Sequence, residues 1–174
     1  MPAHNAAAAA TAVAPPDLPL RRCLGHFATG VAIVSYDAPT GPRGLTVNAF
    51  TSVSLDPPLV LVCLDKRSRA IGHVPQSPFA VNVLHANQRD LARHFAGHPV
   101  SDVTPAWHRI DAVPVLTDCL AWLACAPWSH HDAGDHVIVV GRVVAFGTNP
   151  QTPLCFFRGE FIELPTQPFE RGAP

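Results

Sequence analysis

Charged side chains are scarce in this sequence. Lysine and arginine number 12 and aspartate and glutamate 13, together 14% of the residues, against 48% apolar. So even a balance leaves no broad basic face for nucleic acid, and nucleic-acid partners are excluded on that ground. Paired cysteines are also missing: Cys23, Cys63, Cys119, Cys125 and Cys155 are odd in number, scattered, and never form a C-x-x-C pair. They read as reduced core thiols of a cytoplasmic protein. No apolar run reaches the roughly 18 residues that a membrane-spanning helix requires, so no membrane partner is expected. The opening MPAHNAAAAATAVAPP is rich in alanine and proline but lacks the basic start and strongly apolar centre of a secretory signal. Residues 1–16 therefore read as a disordered tail and 166–174 as a second tail, leaving one domain over 17–165.

Several chemical signatures are absent too. There is no G-x-G-x-x-G and no G-x-x-x-x-G-K-[ST], which excludes a Rossmann dinucleotide domain and a Walker-type nucleotidase. No G-x-S-x-G elbow supports a serine hydrolase. No internal repeat occurs.

What is present is strand-forming sequence with a few short helices. Asp17 is placed to cap a helix through Leu18, Leu20, Leu24 and Phe27, with Gly30 as its stop. VAIVSYD (31–37), LTVNAFTSVS (45–54), PLVLVCLD (58–65) and FAVNVL (79–84) read as strands, and QRDLARHFAG (88–97) as a short helix. VPVLTDCLAWLACAPW (113–128), DHVIVVGRVVAFG (135–147) and LCFFRGEFIEL (154–164) read as long strands joined by polar turns. About six or seven strands with two or three helices predict a mainly β fold, a β-barrel with peripheral helices.

Three stretches carry candidate chemistry. In GLTVNAFTSVSLDPPLVLVCLDKRSR, one strand offers Thr46, Asn48, Thr51, Ser52 and Ser54, and the end of the next offers Lys66, Arg67, Ser68 and Arg69. A phosphorylated ligand needs charge-assisted donors for its phosphate and neutral partners for polar ring edges, and adjacent strands can deliver both. The plainer reading is a solvated strand face and a basic turn. SHHDAGDHVIVVG gathers His130, His131, Asp132, Asp135 and His136. A metal needs three or four converging ligands, whereas only alternate residues of a strand share a face, so no metal is expected. His136, at the start of a buried strand, is the residue placed to meet a ligand at a barrel rim or to sit there satisfied by its neighbours. Arg158-Gly159-Glu160-Phe161 interrupts an apolar strand, as a bulge, a ligand contact or an edge charge would.

Taken in order, GLTVNAFTSVSLDPPLVLVCLDKRSR, FAVNVL, DLARHFAG, PVLTDCLAWLAC, AGDHVIVVGRV and PLCFFRGEF resemble the short-chain flavin reductases, over about residues 18–164. These are the reductase components of two-component flavin-dependent monooxygenases. The resemblance implies an FMN-binding split β-barrel, homodimeric, in which NADH or NADPH reduces FMN, or FAD, for a partner monooxygenase. It implies that Gly44, Leu45, Thr46, Val47, Asn48, Phe50 and Thr51 line the flavin ring and ribityl chain, with Ser52 beside them. Asp65, Lys66, Arg67, Ser68 and Arg69 are implied at the phosphate and Asn82 near the flavin. Asp135 and His136, with Arg158, Gly159, Glu160 and Phe161, are implied on the nicotinamide side, His136 as the orienting catalytic residue. His130, His131 and Asp132 depart from the family motif and take no role from it. The stretch His98 to Ala112 departs as well, which leaves NADH or NADPH and FMN or FAD open. The competing expectation is a non-catalytic FMN-binding carrier on the same barrel; the nicotinamide-side motifs, which a pure flavin binder does not need, favour the enzyme.

Overall fold

Apolar residues at every second position suit a strand with one buried face. In Pro58–Asp65 the consequence is visible: Val60, Val62 and Leu64 are buried while Leu59, Leu61 and Cys63 are only partly covered. The computed structural model describes residues 17–164. The expected tails at 1–16 and 166–174, and the side chain of Asp17 as a cap, lie outside the described residues. In chain order the elements are α1 (Asp17–Leu24), β1 (Thr29–Gly30), β2 (Ala32–Ala38), β3 (Gly41–Val47), β4 (Phe50–Leu55), β5 (Pro58–Asp65) and β6 (Phe79–Val83). There follow α2 (Arg89–Phe95), β7 (Trp107–Ile110), β8 (Val113–Leu116), β9 (Ala121–Ala133), β10 (His136–Thr148), β11 (Leu154–Phe157) and β12 (Glu160–Glu163).

Seven strands form one antiparallel sheet in the order β3-β2-β6-β9-β10-β5-β4. Its two edge strands are consecutive in the chain, bridged only by Asn48 and Ala49, so the sheet has to curl until its edges approach. β3 and β4 do not pair, and the barrel remains split at that seam. Val34, Val62, Leu64, Phe79, Val81 and Val139 fill the curl, all fully buried. Truncating Phe79 to alanine in such a core costs about 3–5 kcal/mol. β2 is buried on both faces: its Ile33 joins Leu84, Ala92 and Leu116 in a second layer beneath α2 and β8.

The mainly β expectation holds, and the differences lie where strands break. LTVNAFTSVS is two strands, because the chain must cross the seam at Asn48-Ala49, where the Ala49 carbonyl accepts from the Cys63 N–H at 3.1 Å. VPVLTDCLAWLACAPW divides into β8, which pairs with β7 in a separate ribbon, and β9, which enters the main sheet. LCFFRGEFIEL is a hairpin: Arg158 and Gly159 have φ of 52° and 87°, the two positive values that a type I′ turn needs. α1 stops at Leu24, well before Gly30, which belongs to β1 and pairs with Cys155. Ser129 to Ala133, expected as a turn, continue β9 opposite His136 to Val140, and only Gly134-Asp135 turn the chain.

The cysteines are all free. Burial pushes the thiols of Cys119 and Cys125 up to about 11 and about 12, which keeps them protonated and unreactive. The core-thiol expectation fits those two; Cys63 and Cys155 are half-buried and Cys23 is exposed on α1.

Candidate functional site

The seam between β3 and β4 opens into a cleft of about 660 Å³. Four pieces of chain build it: Leu24 with Phe27 to Ala32 after α1, Val47 to Thr51 across the seam, Leu61 and Cys63 of β5, and Val83 of β6. The walls are mostly apolar, with Asn48, Thr51 and Thr29 as the polar side chains. The Thr29 hydroxyl is buried and has no hydrogen-bond partner among the described residues. A buried hydroxyl without a partner is costly. An apolar slot of this size with a few convergent polar groups fits a flat ring with polar edges, which is what a flavin presents.

Of the residues expected along the ring, Val47, Asn48, Phe50 and Thr51 line this cleft. Ser52 is exposed on β4 and lies outside it. Gly44, Leu45 and Thr46 are not brought to it. Gly44 lies under α2, where an added Cβ would sit 2.9 Å from both Ile33 and Phe95, and the Thr46 hydroxyl donates to the Ala92 carbonyl at 2.7 Å. Leu45 alternates to the other face and packs on the main core.

Asn82 adjoins Val83, which lines the cleft, but is not itself among the lining residues. Its side chain is fully buried in the second layer, its amide N–H groups donate to the Ile33 carbonyl and the Ser35 hydroxyl at 2.9 and 2.8 Å, and its oxygen accepts from the Leu116 N–H. It pins β8 to the sheet and has no face left for a flavin. Sequence reading missed the other side of the cleft, from Phe27 to Val31. The run of small residues Ala28-Thr29-Gly30 was the available signal.

Beyond β5 the expected phosphate segment forms a network of ion pairs. Arg67 is held by Asp65 through its guanidinium at 2.7 Å and its backbone N–H at 2.8 Å. The Lys66 ammonium reaches both oxygens of Asp132, at 2.7 and 2.6 Å. Asp132, to which the sequence assigned no role, is thus the partner of Lys66. The Ser68 hydroxyl accepts from the Ala70 N–H and caps a short helical turn, Arg69–Gly72, while Arg69 is exposed. The Arg67 hydrogen bonds hold the Asp65 carboxyl far below the ordinary range, and Lys66 lowers Asp132 likewise.

The β9–β10 turn closes this end. The Lys66 N–H donates to the Asp135 carbonyl at 3.0 Å, and His136 stands opposite Asp65 in register. The His136 Nδ1 bonds to the Asp135 carboxylate at 2.7 Å, which lowers the Asp135 carboxyl and leaves Nε2 directed elsewhere on a half-exposed ring. The second expected nicotinamide motif is placed differently. The Arg158 N–H donates to the Gly25 carbonyl at 2.8 Å, which sets the β11–β12 turn against α1, and Phe161 packs on Phe156 in the second layer. Glu160 is exposed. Asp135 and His136 adjoin Asp65 and Lys66, Arg158 and Gly159 adjoin Gly25, and His136 lines neither the seam cleft nor the cleft at Gly25. Among the described residues no group of three or more histidine, cysteine or acidic side chains is arranged to hold a metal, and no helix is long and apolar enough to cross a membrane.

The comparisons with known proteins agree with this geometry. A family model described as a flavin reductase like domain matches residues 24–165. The chain is 45% identical over 148 residues to a probable flavin reductase of Rhizobium meliloti (strain 1021), covering 82% of this chain and 47% of that protein, about half its length. It is 40% identical over 153 residues to an NADH-dependent flavin reductase of Rhodococcus sp, covering 84% of this chain and 86% of the relative. Among solved structures, flavin reductase PheA2 in its native state superposes with a TM-score of 0.84 at 35% identity, covering 87% of this chain and 100% of that one. An NADH:FAD oxidoreductase of Streptomyces globisporus, solved with NAD and FAD fragments, gives 0.78 at 37% identity, covering 87% and 94%. With the family model spanning nearly all of the described residues, the chain belongs to the flavin reductase-like domain family.

Proposed function

We propose that the protein is an NAD(P)H-dependent flavin reductase that reduces FMN, or FAD, and passes it to a partner monooxygenase. The observation that carries this reading is the seam cleft, apolar along its walls, with Thr29, Asn48 and Thr51 as its polar side chains. A bound flavin supplies a ring that accepts hydride from a reduced nicotinamide. The protein's part is then to bind and orient: Phe50 and Val47 offer apolar walls, Asn48, Thr51 and Thr29 offer partners for ring edges, and the apolar lining limits water. Relatives named as NADH-dependent flavin reductases and as reductase subunits of flavin-dependent monooxygenases support both the reaction and the partner.

A homodimer is part of the proposal. Val53 and Leu55 on β4, Trp128 on β9, and Val144 and Phe146 on β10 are large apolar side chains left exposed on one sheet, the kind of surface that a second copy covers. Free cysteines support a cytoplasmic setting, and one domain over 17–165 is the unit proposed. The test mixes the pure protein with NADH, or NADPH, with and without FMN, and follows the nicotinamide absorbance band. Loss of NADH that depends on added flavin is expected; no turnover with either nicotinamide overturns the reading.

His136 is assigned an orienting role toward the nicotinamide, its ring fixed by Asp135. His136→Ala is expected to lower kcat/KM for NADH by about tenfold to a hundredfold while leaving the KM for FMN within about twofold. Equal losses for both substrates would show that the ring is only structural.

A further inference from the structure

A second cleft, of about 530 Å³, lies between α1 and the β11–β12 turn. Among the described residues, Arg21, Arg22, Gly25, His26, Arg158 and Gly159 line it, three arginines and a histidine with no acidic residue. Among the described residues none of these arginines forms a salt bridge, whereas Arg67, Arg93 and Arg109 each do. Such a concentration of basic residues stands out in a chain whose formal net charge is −1. The basic wall is also held in place. The Arg158 guanidinium lies over the Phe157 ring at 5.2 Å, its backbone N–H is fixed on Gly25, and the edge-on His26 ring bonds the Arg22 carbonyl at 2.8 Å. Guanidinium groups at a cleft with no acidic residue in its described lining match phosphate oxygens well.

The position of this cleft indicates what it would hold. Leu24 and Phe27 line the seam cleft, and Gly25 and His26, between them in the chain, line the basic one. The two clefts therefore share one turn of chain as a wall. We infer that the basic cleft is a subsite for the diphosphate bridge of a dinucleotide whose ring end reaches the seam cleft, the chemistry that NADH and FAD share and FMN lacks. This inference rests on reading the seam cleft as the flavin site, and it gives Arg21, Arg22 and His26 a role in recognising the dinucleotide.

The experiment uses the full chain with the double substitution Arg21→Ala and Arg22→Ala, and with Arg22→Lys as a charge-retaining control. ADP, which carries the diphosphate without nicotinamide or flavin, is titrated calorimetrically. The double variant should bind it about tenfold more weakly or worse, and Arg22→Lys should retain most of the affinity. In turnover with FMN as acceptor, the KM for NADH should rise about tenfold with kcat little changed, while reduced nicotinamide riboside, which has no phosphate, should be unaffected. If FAD is the dinucleotide held, its KM rises instead and NADH with FMN is unchanged. Unaltered ADP affinity, or an equal loss with the phosphate-free riboside, overturns the subsite. If the native protein oxidises no NADH, the proposed activity fails while the ADP titration still decides the subsite.

Discussion

Lys66, Arg67 and Arg69 beyond β5 and Arg21, Arg22 and Arg158 between α1 and the β11–β12 turn are equal in formal charge, but their surroundings differ. The first group faces Asp65, Asp132 and Asp135 across the β9–β10 turn, and two of its cations are already in carboxylate contacts under 3 Å. The second has no carboxylate along its cleft among the described residues. An anion arriving at the first place has to break an ion pair, whereas at the second it displaces only water. Exposed pairs contribute little to stability, so the first network can open for a phosphate, but the carboxylates remain nearby and weaken the hold. A weak hold on FMN suits a proposed enzyme that must release reduced flavin, and a firmer grip on the nucleotide that donates hydride is compatible with the same cycle. The number of basic residues in a segment is therefore a poor guide to the charge available to a ligand.

The most damaging change on the balanced side is Lys66→Ala. It removes a cation and leaves Asp132 without a partner, so a phosphate would meet three carboxylates with less opposing charge. The KM for FMN should rise about tenfold, with riboflavin, which lacks the phosphate, unchanged and the KM for NADH within about twofold. A rise that is as large for riboflavin would place the phosphate elsewhere and remove the contrast between the two regions.

This contrast was only half legible in the sequence. The short apolar run PLVLVCLD after Asp56-Pro57 placed β5 and the basic segment at its end, because apolar runs and turn residues are local properties. The partner of Lys66 is 66 positions away and depends on the β9–β10 hairpin lying beside β5, so Asp132 could not be assigned from spacing. The side-chain partners of Asn82 were hidden for the same reason, lying 34 to 49 residues away in sequence. The break at Asn48-Ala49 follows from closure of the sheet, which no window of residues encodes. Gly159 marked the β11–β12 turn, but an arginine with φ of 52° before it has no signal in residue type, so the hairpin read as one strand.

Asp132→Asn makes the smaller and opposite change, and it tests whether the ion pair is what weakens phosphate binding. The amide keeps the shape but frees the Lys66 ammonium, so the KM for FMN should fall about threefold and riboflavin should not respond. The pair also carries a pH signature. Lys66 lowers the Asp132 carboxyl below its ordinary value of 3.8 in the folded protein, so the pair's contribution is complete above that value and is lost as pH falls through the lowered one. The difference in Tm between native protein and Asp132→Asn, at most a few degrees, should therefore stay constant from about pH 7 to 5 and close only below about pH 4. A gap already closing by pH 5, measured by calorimetry, would mean that Asp132 is not held by Lys66, and the first basic region would then be as free to bind an anion as the second.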